Sequence, residues 1–129
     1  MSLHYKVVTK KPGGLTGEHG IRYYPMLTDR QTIHLRELCE IIGEANTFHS
    51  GTVFGVMETF LRFIPTLLMD GHNIHLGEFG TFSLSIRAVG QDSPDKVSSR
   101  DIKEVRMNFR PGPVIKHQLT GKIDYKKVK

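Results

Sequence analysis

Cysteine occurs once in this chain of 129 residues, as Cys39, and a lone thiol excludes an intramolecular disulfide framework. It falls in the run Leu35 to Ala45, whose apolar residues recur at helical spacing, so a buried, inert thiol is the expected reading. No stretch approaches the roughly 20 apolar residues that a bilayer span needs, and the amino-terminus lacks the basic-then-apolar layout of a signal peptide. A cytoplasmic protein is expected, with no membrane partner. Enzyme chemistry is equally thin. Gly13-Gly14 is not followed by the Lys-Ser/Thr and helix of a phosphate loop, and neither paired carboxylates nor a nucleophile motif stands out. The seven histidines are scattered. On a strand, the three-residue step between His72 and His75 puts them on opposite faces, and one cysteine cannot complete a zinc site. These absences predict a non-enzyme with no metal, no cofactor and no small-molecule substrate.

What is present is an ordinary globular composition, 38% hydrophobic and 24% charged, at the size of one domain. The net charge of +5 is spread unevenly: residues 1–86 hold seven Lys/Arg against eight Asp/Glu, whereas residues 87–129 hold eleven against five. Clustered Lys and Arg are the electrostatic footprint that a phosphate backbone attracts. A solvated basic tail has the same composition.

Leu3 to Val8 is rich in β-branched and aromatic residues, and Pro12, Gly13 and Gly14 follow it as a turn cluster. With a second β-leaning run, Ile21 to Tyr24, it predicts a hairpin within residues 3–27. From Leu35 the period changes. Leu35, Leu38, Cys39, Ile42 and Ala45 mark one face of a helix with His34 or Thr32 at its start. Asn46 and Thr47 break it, and Ser50 is expected to cap a longer helix that reaches Asp70 and stops at Gly71. Pro65 should bend that helix without ending it. Its apolar residues, which include Phe54, Met57, Phe60, Leu61 and Ile64, cover far more than the ~100° stripe of a surface helix. So much apolar surface predicts a second copy of the chain packed against it, with those five residues in the dimer core. A central helix in a monomer is the alternative. Beyond Gly71, residues 73–76 and 81–86 alternate as a hairpin, residues 90–99 interrupt the alternation, and residues 104–109 resume it as a third strand. Residues 114–119 read as a short helix.

The segment Gly71-x-x-Ile74-x-Leu76-x-x-Phe79-Gly80-Thr81-Phe82 resembles the signature of the bacterial histone-like HU and integration-host-factor family, and Phe109-Arg110-Pro111-Gly112 is similar to its Phe-Lys-Pro-Gly. The resemblance covers residues 32–119, and the extra amino-terminal strands look closer to the divergent HU-like branch of the Bacteroidetes. It implies an α+β fold: two helices in the amino-terminal half forming an intertwined dimer core, a three-stranded antiparallel sheet with a modified arm, a short carboxy-terminal helix and an added amino-terminal β-hairpin. It further implies a nucleoid-associated homodimer, or a heterodimer with a related subunit, that binds double-stranded DNA with little sequence preference. The domain reading is a β extension over 1–30, an HU-like DNA-binding domain over 31–119 and a basic flexible tail over 120–129.

By the same resemblance, the strands flanking the polar interruption extend as arms into the minor groove, the family's tip proline wedging between base pairs. Here the tip reads Gly90-Gln91-Asp92-Ser93-Pro94-Asp95-Lys96. Pro94 stands where a wedge would, yet Asp92 and Asp95 beside it repel phosphates. Ser93-Pro94 also reads as a helix cap and first-turn proline, which predicts a helical turn near 95–102. Period two puts Arg106, Asn108 and Arg110 on one strand face and Val105, Met107 and Phe109 on the other. Because the resemblance places their strands against the duplex, Arg87, Arg106 and Arg110 are the leading phosphate contacts it implies, with Asn108 beside them and Lys103 and Lys116 as weaker candidates. Phe79, Phe82 and Phe109 are assigned to packing, as part of the dimer core with the apolar residues of the long helix. Phe79 and Phe82 would face opposite sides of a regular strand unless Gly80 marks a bulge or bend. A rival reading keeps the fold as a protein-interaction dimer that has lost strong DNA binding.

Overall fold

The computed structural model describes residues 2–10 and 20–128. The Pro12-Gly13-Gly14 cluster lies outside them. Element order is β1 (Ser2–Lys10), β2 (Arg22–Thr28), α1 (Leu35–Ala45), α2 (Ser50–Met69), β3 (Ile74–His75), β4 (Gly80–Ala88), β5 (Ile102–Pro111), α3 (Pro113–Gly121) and β6 (Asp124–Lys127). The fold is α+β, as the sequence pattern requires. It separates into two compact units, residues 34–117 and a second made from residues 1–33 with 118–129.

In the first unit, α1 packs on α2, and β3, β4 and β5 form an antiparallel sheet in that order. Helix α2 begins differently from expectation: its cap is His49, not Ser50, and the Gly51 N–H donates to His49 Nδ1 at 3.1 Å. An imidazole nitrogen thereby satisfies one of the donors that a helix start leaves unpaired. His34 caps α1 by position alone. Helix α2 runs through Pro65 without interruption and ends in a Schellman arrangement, with Gly71 at φ 94°, its N–H donating to the Leu68 carbonyl and that of His72 to Leu67. Gly71 supplies the left-handed backbone that this ending requires.

One expectation is corrected here. At 20 residues and a mean hydropathy of 1.4, α2 is long and apolar enough by length and composition to cross a membrane. Glu58 and Arg62 lie near its centre, where a bilayer charges roughly 2.5–3.5 kcal/mol for each ionised group. The helix packs on α1, β3 and β4. The core is nonetheless slight within one chain. Among the described residues, Cys39, Ile64 and Leu68 are the buried apolar side chains, whereas Val56 is 64% exposed, Phe63 50% and Leu61 46%.

The second unit is a sheet in the order β2-β1-β6. Strands β1 and β2 make the predicted hairpin, longer than the sequence suggested, and Pro25 sits in β2 at the edge of the sheet, where its missing N–H costs no internal ladder bond. The carboxy-terminal residues differ from expectation. Residues 120–129 were expected to be a flexible tail, but Asp124–Lys127 pairs in parallel with β1, and the Val128 N–H donates to the Tyr5 carbonyl at 2.8 Å. Alternation around Tyr125 and backbone bonding to a partner strand more than 115 residues away account for this order. Nothing local signals it.

Candidate nucleic-acid interface

The two sequence signatures meet at one junction. Gly80 pairs in register with Pro111, and Phe82 with Phe109. The Phe109 ring lies 5.0 Å from that of Phe79 and 4.8 Å from that of Phe82, both tilted, a favourable geometry for aromatic pairs. Gly80 resolves how residues three apart reach one ring. It sits at φ 149°, and a Cβ there would collide with the Arg110 carbonyl oxygen and the Phe109 ring. The bend places Phe79 in the turn before β4 and brings it back over β5. On the far side, the Gly112 N–H donates to the Phe79 carbonyl at 3.0 Å, closing the junction. Phe79 is still half exposed.

From this anchor, β4 and β5 run on together to Ala88 and Ile102, while β3 pairs only with Thr81 and Phe82. Beyond Ser83 the sheet is therefore a two-stranded ribbon. Its register puts Thr81, Ser83, Ser85 and Arg87 on one face with Arg110, Asn108, Arg106 and Glu104 directly opposite. The other face carries Phe82, Leu84, Ile86, Val105, Met107 and Phe109. The predicted stripe of Arg106, Asn108 and Arg110 is thus brought together with Arg87. Asn108 Nδ2 donates to Ser85 Oγ at 2.8 Å, which fixes the amide along the stripe.

Sequence counting missed Glu104, which lies on the same stripe. It stands across from Arg87, and its carboxylate is 3.1 Å from the Arg106 guanidinium. Hairpin parity would have found it, had the stripe been followed one step further. Lys103 falls at the irregularity in the ladder, and its Nζ turns back to the Arg100 carbonyl at 3.4 Å. Lys116 is on α3, not on a ribbon strand. Of the residues assigned to a dimer core, Ile64 is buried in the single chain. Phe54 is half-buried with the Arg36 guanidinium 5.1 Å above its ring, Met57 is half-buried, and Phe60 and Leu61 are exposed.

The ribbon tip is a built cap. Pro94–Lys96 and Ser99–Asp101 each form a 3₁₀ turn, with Pro94 at the start of the first. Ser98 and Asp101 make a reciprocal capping box. The Asp101 carboxylate accepts from the Ser98 N–H at 3.0 Å and from Gln91 Nε2 at 2.8 Å, and these bonds hold its pKa below the ordinary value. The turns agree with the helical reading of Ser93-Pro94. Among the described residues the histidines do not converge: His72 Nδ1 is 3.3 Å from the Leu67 carbonyl and His75 Nδ1 3.0 Å from Thr81 Oγ1.

Residues 1–127 match the family model HU-HIG, described as an HU domain fused to a wHTH, Ig or glycine-rich motif. The chain belongs to the HU-HIG family. The match takes in the amino-terminal and carboxy-terminal strands, so the added sheet is part of the HU-HIG pattern. Among solved structures, this HU-HIG chain is similar to a candidate bacterial DNA-binding protein from Bacteroides vulgatus ATCC 8482, with a TM-score of 0.68 at 11% identity. The similarity covers 99% of this chain and spans about half, 50%, of the other. At that identity it establishes a shared fold. No curated protein matches.

Proposed function

We propose that this HU-HIG chain is a non-enzymatic, largely sequence-nonspecific DNA-binding protein. In this reading it is a nucleoid-associated homodimer that holds the duplex along its β4–β5 ribbons. The observation that carries the reading is the ribbon itself: two paired strands with Arg87, Arg106, Asn108 and Arg110 on one face. A two-stranded β-ribbon fits a DNA groove, and arginines spaced along it neutralise phosphates with little base readout. The family and the name of the structural relative point the same way. Specificity would come from groove width and deformability. The 3₁₀ turns at the tip and the carboxylates of Asp92 and Asp95 favour a ribbon that tracks the backbone over one that wedges Pro94 between bases.

The test is anisotropy of a labelled duplex of about 30 base pairs across a series of salt concentrations. Arg106→Ala with Arg110→Ala is expected to weaken binding about tenfold or more and to reduce the salt slope by nearly two, since each lost phosphate contact removes about 0.9. Unchanged affinity in a folded variant would remove the ribbon from the interface.

A second reading rests on Glu104. A carboxylate at the tip end of the stripe, bonded to Arg106, suits a ribbon that docks a protein with mixed charges. Failure of the wild-type chain to bind the duplex even at low salt would favour it.

A further inference from the structure

The sheet of the second unit also sorts its residues by face. Registers β1–β2 and β1–β6 place Leu3, Tyr5, Val7, Tyr23, Pro25, Leu27 and Tyr125 on one face, with Thr9 and Lys127 among them. The other face receives Lys6, Lys10, Arg22 and Lys126 together with His4, and Val8, Tyr24 and Met26 lie between these cations. All four basic side chains are exposed, and none makes an ion pair with a described residue. Two of the register pairs on this face oppose like-signed or potentially like-signed groups, Lys10 with Arg22 and His4 with Lys126. Such pairs destabilise a sheet by a few tenths of a kcal/mol or more unless an anion lies between them. The face has two acids, Asp29 at 3.3 Å from His4 and Asp124 beside Ser2, both at the end away from Lys10 and Arg22.

Charge by unit makes the same point. Residues 1–33 with 118–129 hold nine Lys/Arg against three Asp/Glu, while residues 34–117 hold nine against ten. The formal excess of the chain therefore lies in the unit that lacks the ribbon.

We propose that the Lys6, Lys10, Arg22 and Lys126 face of the β2-β1-β6 sheet is a second phosphate-binding surface for duplex DNA, independent of the ribbon. Lys6 and Lys10 are four residues apart on β1, roughly 13 Å at the strand rise, which corresponds to about four phosphate steps along one DNA strand. A bilayer fits poorly. Membrane-surface elements gather their apolar residues on one face and keep their cations at its rim, whereas here the larger apolar cluster, Leu3, Tyr5, Val7, Tyr23, Pro25, Leu27 and Tyr125, is on the side opposite Lys6, Lys10, Arg22 and Lys126. The surface deepens the DNA-binding reading without depending on the ribbon, and the two separate by experiment.

Anisotropy with the 30-base-pair duplex is measured for the full chain, for Arg106→Ala/Arg110→Ala, and for Lys6→Gln/Lys10→Gln/Arg22→Gln/Lys126→Gln. The quadruple variant is expected to flatten the salt slope by three to four, so that about a hundredfold of the affinity loss between 50 and 200 mM salt disappears. A charge-conserving set, Lys6→Arg, Lys10→Arg, Arg22→Lys and Lys126→Arg, should keep the wild-type slope and so separates charge from folding. Loss in the quadruple variant with retention in the ribbon variant would support this surface and sink the ribbon. A wild-type slope in the quadruple variant, with its circular dichroism unchanged, would overturn this surface whatever the ribbon does. Retention on phosphatidylserine vesicles without duplex binding would also overturn it.

Discussion

Gly80 concentrates several constraints in one position. It is the residue at which the turn after β3 becomes β4, it carries φ 149°, and the space its Cβ would need is taken by Arg110 and Phe109. Glycine alone tolerates that backbone without strain, and the ring stack that orients β5 depends on the close approach. Gly80→Ala should therefore lower unfolding stability by about 2–4 kcal/mol, combining backbone strain with overpacking. Urea denaturation measures it. A change within about 0.5 kcal/mol, the range of an ordinary surface substitution, would show that the junction adjusts freely. Gly77, at φ 58°, has open space around it and should be more tolerant of bulk, though its backbone still favours glycine.

Among the elements, the ribbon tip has the clearest titration behaviour. Asp101 closes the capping box and receives Gln91, and both bonds favour the charged carboxylate, which is why its pKa is lowered. A depressed folded pKa means the stabilisation is present above the unfolded value and is lost as pH falls through the depressed one. The tip should therefore hold its turns through pH of about 4, the ordinary Asp range, and loosen only below it. Amide exchange at Ser98 followed by NMR across that range is the check, and loosening that begins above pH 4 would contradict the role given to Asp101. The ribbon behind the tip is exposed on both faces, with Ile86 at 58% and Met107 at 59%. A ribbon of two strands is marginal alone in water, so the Phe79–Phe82–Phe109 junction at its base is what gives it direction.

Helix α2 states the same problem for the whole molecule. A compact chain of 14.6 kDa exposes roughly 7,000 Å², and the same mass folded as two separate small units roughly 8,000 Å². This chain exposes 11,240 Å². Part of that surplus is apolar surface on α2, where Val56, Phe60, Leu61, Phe63, Leu67 and Met69 are exposed. The proposed homodimer would cover it. Equilibrium sedimentation at micromolar concentration should give twice the 14.6 kDa chain mass, and a species at the chain mass would count against it. Phe63→Glu, on the exposed side of α2, should shift the equilibrium towards monomer or unfold the chain, because a dimer of this kind is stable only while its apolar faces are covered. A Phe63→Glu chain that sediments as a folded dimer would place the contact elsewhere.

Much of this was legible without coordinates. The 3.6-residue period of α1 and α2, the glycine that ends α2, the hairpins and the parity that lines up Arg106, Asn108 and Arg110 are all local consequences of side-chain spacing and backbone preference. So was the junction in outline, since Phe79-Gly80 and Phe109-Arg110-Pro111-Gly112 read as packing motifs. The cap of α2 was misplaced by one residue because serine is the commoner cap and the imidazole of His49 does the same work. Charge can be divided in two ways. Counted along the chain, the positive excess belongs to residues 87–129; counted by folded unit, it belongs to residues 1–33 with 118–129. Spacing and propensity act over a few residues, so the sequence by itself determined the elements and their faces. The pairing of β6 with β1, the placement of Lys126 on the sheet face of Lys6 and Lys10, and that of Glu104 within the ribbon stripe were decided by tertiary structure alone. Which strand lies beside which is a matter of long-range backbone bonding that no local pattern encodes.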